Sequence, residues 1–272
     1  MEMEEKIRLN KYLSDAGVCS RREADRMMED GRITVDGERA VPGTRVFPYQ
    51  RIMIDGREIT REEEKVILAV NKPEGVVCTT TDRFKEENIV DFVGYPIRVY
   101  PIGRLDKNSE GLILMTNRGD IVNKILKASN YHEKEYVVTV NKPLTPEFLE
   151  KMQKGVPILD TVTRPCKVKK EGKKTFRIIL TQGLNRQIRR MCEYLGYRVE
   201  KLRRVRIMNI CLGDLPVGSY RELTEEEIRV LTMLTDGKNT GKSNQASKKE
   251  NKNEQSGSKK TNRRASNSNR IS

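Results

Sequence analysis

Four short apolar runs constrain the fold of this chain more than any other feature. They are "VILAV" before Asn71-Lys72-Pro73, "GLILMTN" from Gly111, "YVVTV" from Tyr136 and "FRIIL" from Phe176. Each is bounded by turn formers and too short to close several helical turns, so each reads as a strand. "VTRPCKVKKEG" adds a further strand, and the apolar run before Asn-Lys-Pro reads as a strand ending in a turn. The helical segments are few. "NIVDFVG" and "GDIVNKILKAS" read as short helices, the second with Asp120 as N-cap, and "LTPEFLEKMQKG" and "LTEEEIRVLTML" as helices begun by threonine caps. Strands and helices do not alternate one for one. The fold class is therefore α+β, on a mixed, largely antiparallel sheet.

A smaller α+β module precedes this sheet, over residues 7–60. "RLNKYLSDAG" places Leu9, Leu13 and Ala16 on one helical face, with Gly17 suited to the C′ position. "SRREADRMMEDG" opens with Ser20 and Glu23 at capping-box spacing, continues with Ala24, Met27 and Met28 on the buried side, and ends at Gly31. "RITVDGERA" and "IMIDGREI" are alternating runs around Asp-Gly turns, the signature of two hairpins. Arg8, Lys11, Arg21, Arg22 and Arg26 fall on the exposed faces; by itself such a run is a solvated surface.

Charge points to the partner. The chain of 272 residues carries a formal charge of +14. A polyanion is expected, nucleic acid first and an anionic membrane surface second. The last segment, residues 236–272, has seven Lys and three Arg against three acidic residues, 10 − 3 = +7, and no aromatic residue. Such a composition buries too little apolar surface to offset the entropy of ordering, so a disordered basic tail is expected, either solubilising or an RNA tether. Residues 61–235 then form the main domain. No apolar run reaches the length of a bilayer span, and "MEMEEKIRLNKYL" lacks a signal-peptide layout, so a cytoplasmic protein without membrane attachment is expected.

The inventory of reactive side chains is narrow. Five scattered cysteines without a C-x-x-C pair argue against a disulfide framework or zinc, and a single histidine, His132, leaves little for His-based chemistry. No phosphate-binding glycine loop is present. No metal and no cofactor are expected, so any chemistry falls to Asp, Glu, Tyr, Lys or Arg. Asp106, in the turn "GRLDKNS" between Arg104 and Lys107, is either a turn former or a reactive carboxylate. "QGLNRQIRRMCEYLGYRVEKLRRVRI" holds Arg186, Arg189, Arg190, Arg198, Lys201, Arg203, Arg204 and Arg206 against Glu193 and Glu200. Its stripe of Leu184, Ile188, Met191, Cys192 and Leu195 is core, closed by Gly196. Its other side reads as a cationic surface for phosphates, with Tyr194 and Tyr197 nearby for stacking.

These pieces resemble a known family. The order of elements in "IRLNKYLSDAGVCSRREADRMMEDGRITVDGE" is similar to the S4 RNA-binding domain. With "NKPEGVV", "GRLDKNSEGLILMTNRGD", "KEYVVTV" and "GLNRQIRRM", it resembles the S4-bearing ribosomal pseudouridine synthases over residues 7–230. "NIVDFV", "YHEKEYVVTVNKP", "GVPILDTVT" and "CKVKK" look most like a bacterial 23S rRNA subgroup.

The resemblance implies an isomerase that detaches uracil from its ribose carbon, turns it and reattaches it through carbon 5, without metal or cofactor. It implies that Asp106 is the essential carboxylate, as nucleophile or as acceptor of a sugar proton. Arg189 would be the active-site cation that keeps Asp106 ionised. Tyr136 would be a catalytic residue that stacks on the base and moves a proton, and Leu202 would pack beneath the ring. Arg104 would fill the place of the extruded base or bind a phosphate. Arg21, Arg22, Arg26, Arg186 and Arg190 would contact RNA. Without the resemblance, Tyr136 is a sheet residue and Leu202 ordinary core. The expected substrate is 23S rRNA, with a tRNA as second candidate, and nothing suggests more than a monomer. Two other readings are a non-catalytic rRNA-binding assembly factor, which has no need of Asp106, Tyr136 and Arg189 together, and a synthase of small-subunit rRNA. An S4-bearing methyltransferase would need a glycine-rich cofactor loop that the sequence lacks.

Overall fold

The computed structural model describes residues 5–59, 65–79 and 87–236. The basic tail after 236, expected to be disordered, lies outside the described residues.

Two capped helices and two hairpins build the N-terminal module. Helix α1, Leu9–Asp15, ends with Gly17 at φ +80°, where the amides of Gly17 and Val18 close on the carbonyls of Ser14 and Leu13. Helix α2, Arg21–Glu29, carries the Ser20–Glu23 capping box. Asp36-Gly37 and Asp55-Gly56 sit at positive φ, as two-residue hairpin turns require. Leu9, Leu13, Ala24, Met28, Ile33, Val46 and Ile52 form one core beneath them.

The second part is a nine-stranded mixed sheet. Its order is Lys167–Lys170, Thr175–Leu180, Lys134–Val140, Val199–Ile207, Glu110–Thr116, Ile67–Lys72 and Tyr220–Glu222, with two short strands off this path. The contact between Val199–Ile207 and Glu110–Thr116 is parallel; every other pairing is antiparallel. Both faces of the central strands are covered, which explains their unbroken apolar sequence. Along Glu110–Thr116, Leu112 and Leu114 enter one core while Ile113 and Met115 enter another. The short helix α3, Ile89–Val93, and helices α4, Gly119–Leu126, α5, Pro146–Lys154, α6, Gln187–Tyr194, and α7, Glu225–Thr235, complete the layers. Thr145 caps α5, and Thr224 exchanges hydrogen bonds with Glu227 at the start of α7.

Two local expectations need correction. Asp120 is not the N-cap of α4. The helix begins at Gly119 behind Arg118, because Thr116 Oγ1 accepts from the Arg118 amide and closes the turn early. Asp120 lies in the first turn, paired with Arg118 at 3.1 Å. Tyr197 is not at the cationic surface. Its ring packs 4.2 Å from that of Phe148 in the core, and its hydroxyl donates to Pro143 O. Tyr194 is exposed, as expected.

Candidate active site

The turn that bears Asp106 is held from below. Lys72 is 0% exposed, and its Nζ donates to Pro73 O at 2.7 Å, Ser109 O at 2.8 Å and Lys107 O at 3.4 Å. Burial pushes its ammonium below the ordinary lysine range, with no carboxylate hydrogen-bonded to it to reverse the effect. Three backbone carbonyls thus converge on one buried cation, fixing residues 107–109. The Gly75 amide donates to Lys107 O, and the Ser109 amide to Asp106 O. Leu105 is buried beside the turn, so Asp106 projects the other way, 34% exposed.

Asp106 opens onto a cleft of about 410 Å³. The wall includes Arg104, Tyr136, Arg186, Arg189, Leu202 and Arg204, brought from the central strands, the Asp106 turn and the start of α6. Two guanidiniums reach the carboxylate: Arg186 Nη1 lies 3.7 Å and Arg189 Nε 3.9 Å from Asp106 Oδ2. Arg186 precedes α6 in a left-handed conformation, φ +49°, which turns its side chain toward the cleft mouth. Arg189 is buried. Its Nη2 donates to Asn108 O and Ser109 Oγ, and its Nη1 to Val199 O, so it ties α6 to the Asp106 turn.

Tyr136 stands on Lys134–Val140, opposite Arg204 on one neighbour and Ile178 on the other. It is at once a sheet residue and part of the cleft wall. Leu202 likewise belongs to the core and lines the cleft. The exposed Arg104 guanidinium makes no hydrogen bond or ion pair among the described residues. Arg190 falls outside the cleft, bonded to Asn185 O and Oδ1. Arg21, Arg22 and Arg26 are exposed along α2, in the N-terminal module.

Sequence reasoning missed Lys72, Lys134 and Arg204 as site residues. Lys72 closes an apolar run before a proline, a position that reads as a turn. Arg204 was grouped with the surface cations of residues 182–207 but is 3% exposed. The parallel junction beside it needs Gly111, at φ +102°, because a Cβ there would strike the backbone N and O of Arg204. Among the described residues, no three His, Cys, Asp or Glu side chains gather in one place. The chemistry on offer is that of one carboxylate among cations.

A module of capped helices and hairpins is thus followed by a mixed sheet whose basic cleft holds, among the described residues, one carboxylate. Residues 7–48 match the S4 domain and residues 66–194 the RNA pseudouridylate synthase family. The chain belongs to the RNA pseudouridine synthase family. It is 54% identical to the "Dual-specificity RNA pseudouridine synthase RluF" of Salmonella typhi, over 85% of this chain and 80% of that protein. The "Ribosomal large subunit pseudouridine synthase B" of Bacillus subtilis is 35% identical, over 85% and 98%. Among solved structures, a pseudouridylate synthase superposes with a TM-score of 0.62 at 27% identity, covering 83% of this chain and 99% of its own. The finer motifs singled out in the sequence had pointed to synthase F within the 23S rRNA subgroup. The protein is an enzyme that isomerises uridine to pseudouridine in RNA.

Proposed function

We propose that the target is a uridine of large-subunit (23S) rRNA, that a tRNA is a second substrate, and that Asp106 is the group that reacts with its ribose. The single observation that carries the last point is the convergence of Arg186 and Arg189 on the one carboxylate that the described residues bring to the cleft wall. Two guanidiniums at that distance set cationic charge beside the oxygen that would attack the sugar carbon or accept a sugar proton. In the reaction the C1′–N1 bond breaks, C1′ joins carbon 5, and the proton lost from carbon 5 is balanced by one gained at N1.

Tyr136 and Leu202, on adjacent strands, form the platform on which the detached ring turns. Arg104, unpartnered at the mouth, occupies the space left by the extruded base or holds a phosphate; extrusion costs a few kcal/mol, which such contacts offset. Arg21, Arg22 and Arg26, with Arg190 at the edge of α6, bind RNA outside the cleft. The choice of substrates rests on the relatives: one carries "dual-specificity" and another "ribosomal large subunit" in its name. A monomer acting in the cytoplasm fits this role, and no helix among the described residues is long and apolar enough to cross a membrane.

The test is to map pseudouridines in rRNA and tRNA from cells with and without this protein. Loss of signal in 23S rRNA and in a tRNA is expected. Loss in small-subunit rRNA alone, or in none, would overturn the substrate assignment.

A further inference from the structure

We propose that Lys134 and Arg204 form a phosphate subsite in the cleft, which takes a phosphate group attached to the target uridine. Lys134 and Tyr136 are two apart on one strand, so their side chains share a face. Arg204 stands opposite Tyr136 on the next strand, and all three line the cleft that holds Asp106. Two cations and a tyrosine therefore form one patch.

Among the described residues, neither cation finds an acceptor for every donor. Arg204 is almost wholly buried. Its Nε donates to Leu112 O at 2.6 Å and its Nη1 to Arg104 O at 3.5 Å, while Nη2 is buried with no partner. A buried guanidinium N–H without an acceptor is costly, so an absent acceptor is implied. The ammonium of Lys134 makes no hydrogen bond or ion pair among the described residues. Burial, and then the nearby charge of Arg204, hold it below the ordinary lysine range. The one carboxylate that the described residues place in the wall, Asp106, is already faced by Arg186 and Arg189. Two desolvated cations side by side with vacant donors are stable partners only for an anion.

RNA offers one anion, the phosphodiester. A cleft of about 410 Å³ has the size of a small-molecule site and not of a duplex groove. A base drawn into it brings its own phosphates to the rim, so the group that reaches Lys134 is the 5′ or the 3′ phosphate of that nucleotide. The assignment rests on Asp106 as the reacting group, but its test needs no turnover.

The probes are uridine, uridine 5′-monophosphate, uridine 3′-monophosphate and inorganic phosphate, titrated into the full-length protein by NMR. One monophosphate should bind about tenfold more tightly than uridine, a factor typical of one charge-assisted contact, and its identity assigns the phosphate. Lys134→Met should remove that preference, leave uridine binding unchanged and spare thermal stability, because an apolar isostere replaces a desolvated charge. Lys134→Arg should keep most of the preference. If Lys134→Met fails to fold, the wild-type preference must still fall as salt is raised. Three results would overturn the proposal. They are equal binding of uridine and both monophosphates, a preference that survives Lys134→Met, and loss of uridine binding itself in that variant. Inactive protein that retains the monophosphate preference would count against Asp106 and not against the subsite.

Discussion

Arg189 faces Asp106 without hydrogen-bonding to it. Its Nε lies 3.9 Å from Oδ2, buried and without a partner, while its other two nitrogens donate to Val199 O, Asn108 O and Ser109 Oγ. The same side chain is thus a strut for the turn and a charge beside the carboxylate. Arg186, nearer at 3.7 Å and 44% exposed, is only the second of these.

The two arginines should separate in mutants. Arg189→Ala should lower kcat by about 10²–10³ and also lower thermal stability, since it strips donors worth about 1 kcal/mol each from three acceptors. Arg186→Ala should lower kcat less and leave Tm within error. Turnover and thermal unfolding of both variants check this. Equal Tm losses would contradict the strut role.

Gly111 is the other fixed point. Its φ of +102° and the Arg204 backbone facing it leave no room for a Cβ. Gly111→Ala should cost about 3 kcal/mol or more, from strain plus displacement of the parallel junction. Urea unfolding would measure it; a loss below about 1 kcal/mol would show that the junction yields.

On the face opposite Tyr136, Glu135 accepts from Arg206 at 2.6 Å and from Arg177 at 2.8 Å. Burial pushes its carboxyl up, but the two guanidiniums outweigh this and hold it below the usual range. A depressed folded pKa gives stability that is present above the unfolded value, about 4.3, and is lost as pH falls through the folded one. Glu135→Gln should therefore cost about 1–2 kcal/mol at pH 7, less than a fully buried pair because both arginines keep a second carboxylate. The difference from wild type should vanish in acid. Denaturant midpoints at pH 7 and pH 3 test the sign.

The Ser20, Thr145 and Thr224 caps, the hairpins and the sheet class were legible because each has a local signature: Ser20 with Glu23, Asp36-Gly37, the two-sided apolar strand from Gly111. Asp106 was singled out through the family's turn motif, and the structure sets it in the cleft wall. Where long cationic side chains go was not. Periodicity sorts apolar from polar positions, yet it cannot say that Lys72, Arg189 and Arg204 turn inward to meet backbone carbonyls. Among their acceptors, Lys107 O, Asn108 O and Leu112 O lie 35, 81 and 92 residues away. Tyr197, just beyond α6, failed for the same reason, its partner Phe148 being supplied by α5.

The N-terminal module should govern capture more than turnover. Replacing Arg21, Arg22 and Arg26 with Ala leaves the capping box and the Ala24–Met28 face untouched. KM for rRNA should rise and kcat stay nearly unchanged, the pattern of lost uniform binding. The dependence of log K on log salt should flatten by up to about one unit per lost phosphate contact. A collapsed kcat at saturating RNA would place α2 in positioning the base.

Asp106→Asn tests the central claim most directly. Among the described residues the Asp106 side chain has only the two cations, at 3.7 and 3.9 Å, as partners, so the amide should cost little stability. The measurement is pseudouridine formation on labelled rRNA by the purified variant, with RNA binding followed in parallel. Undetectable turnover with binding retained or tightened is the predicted result. Substantial turnover by Asp106→Asn would contradict the account.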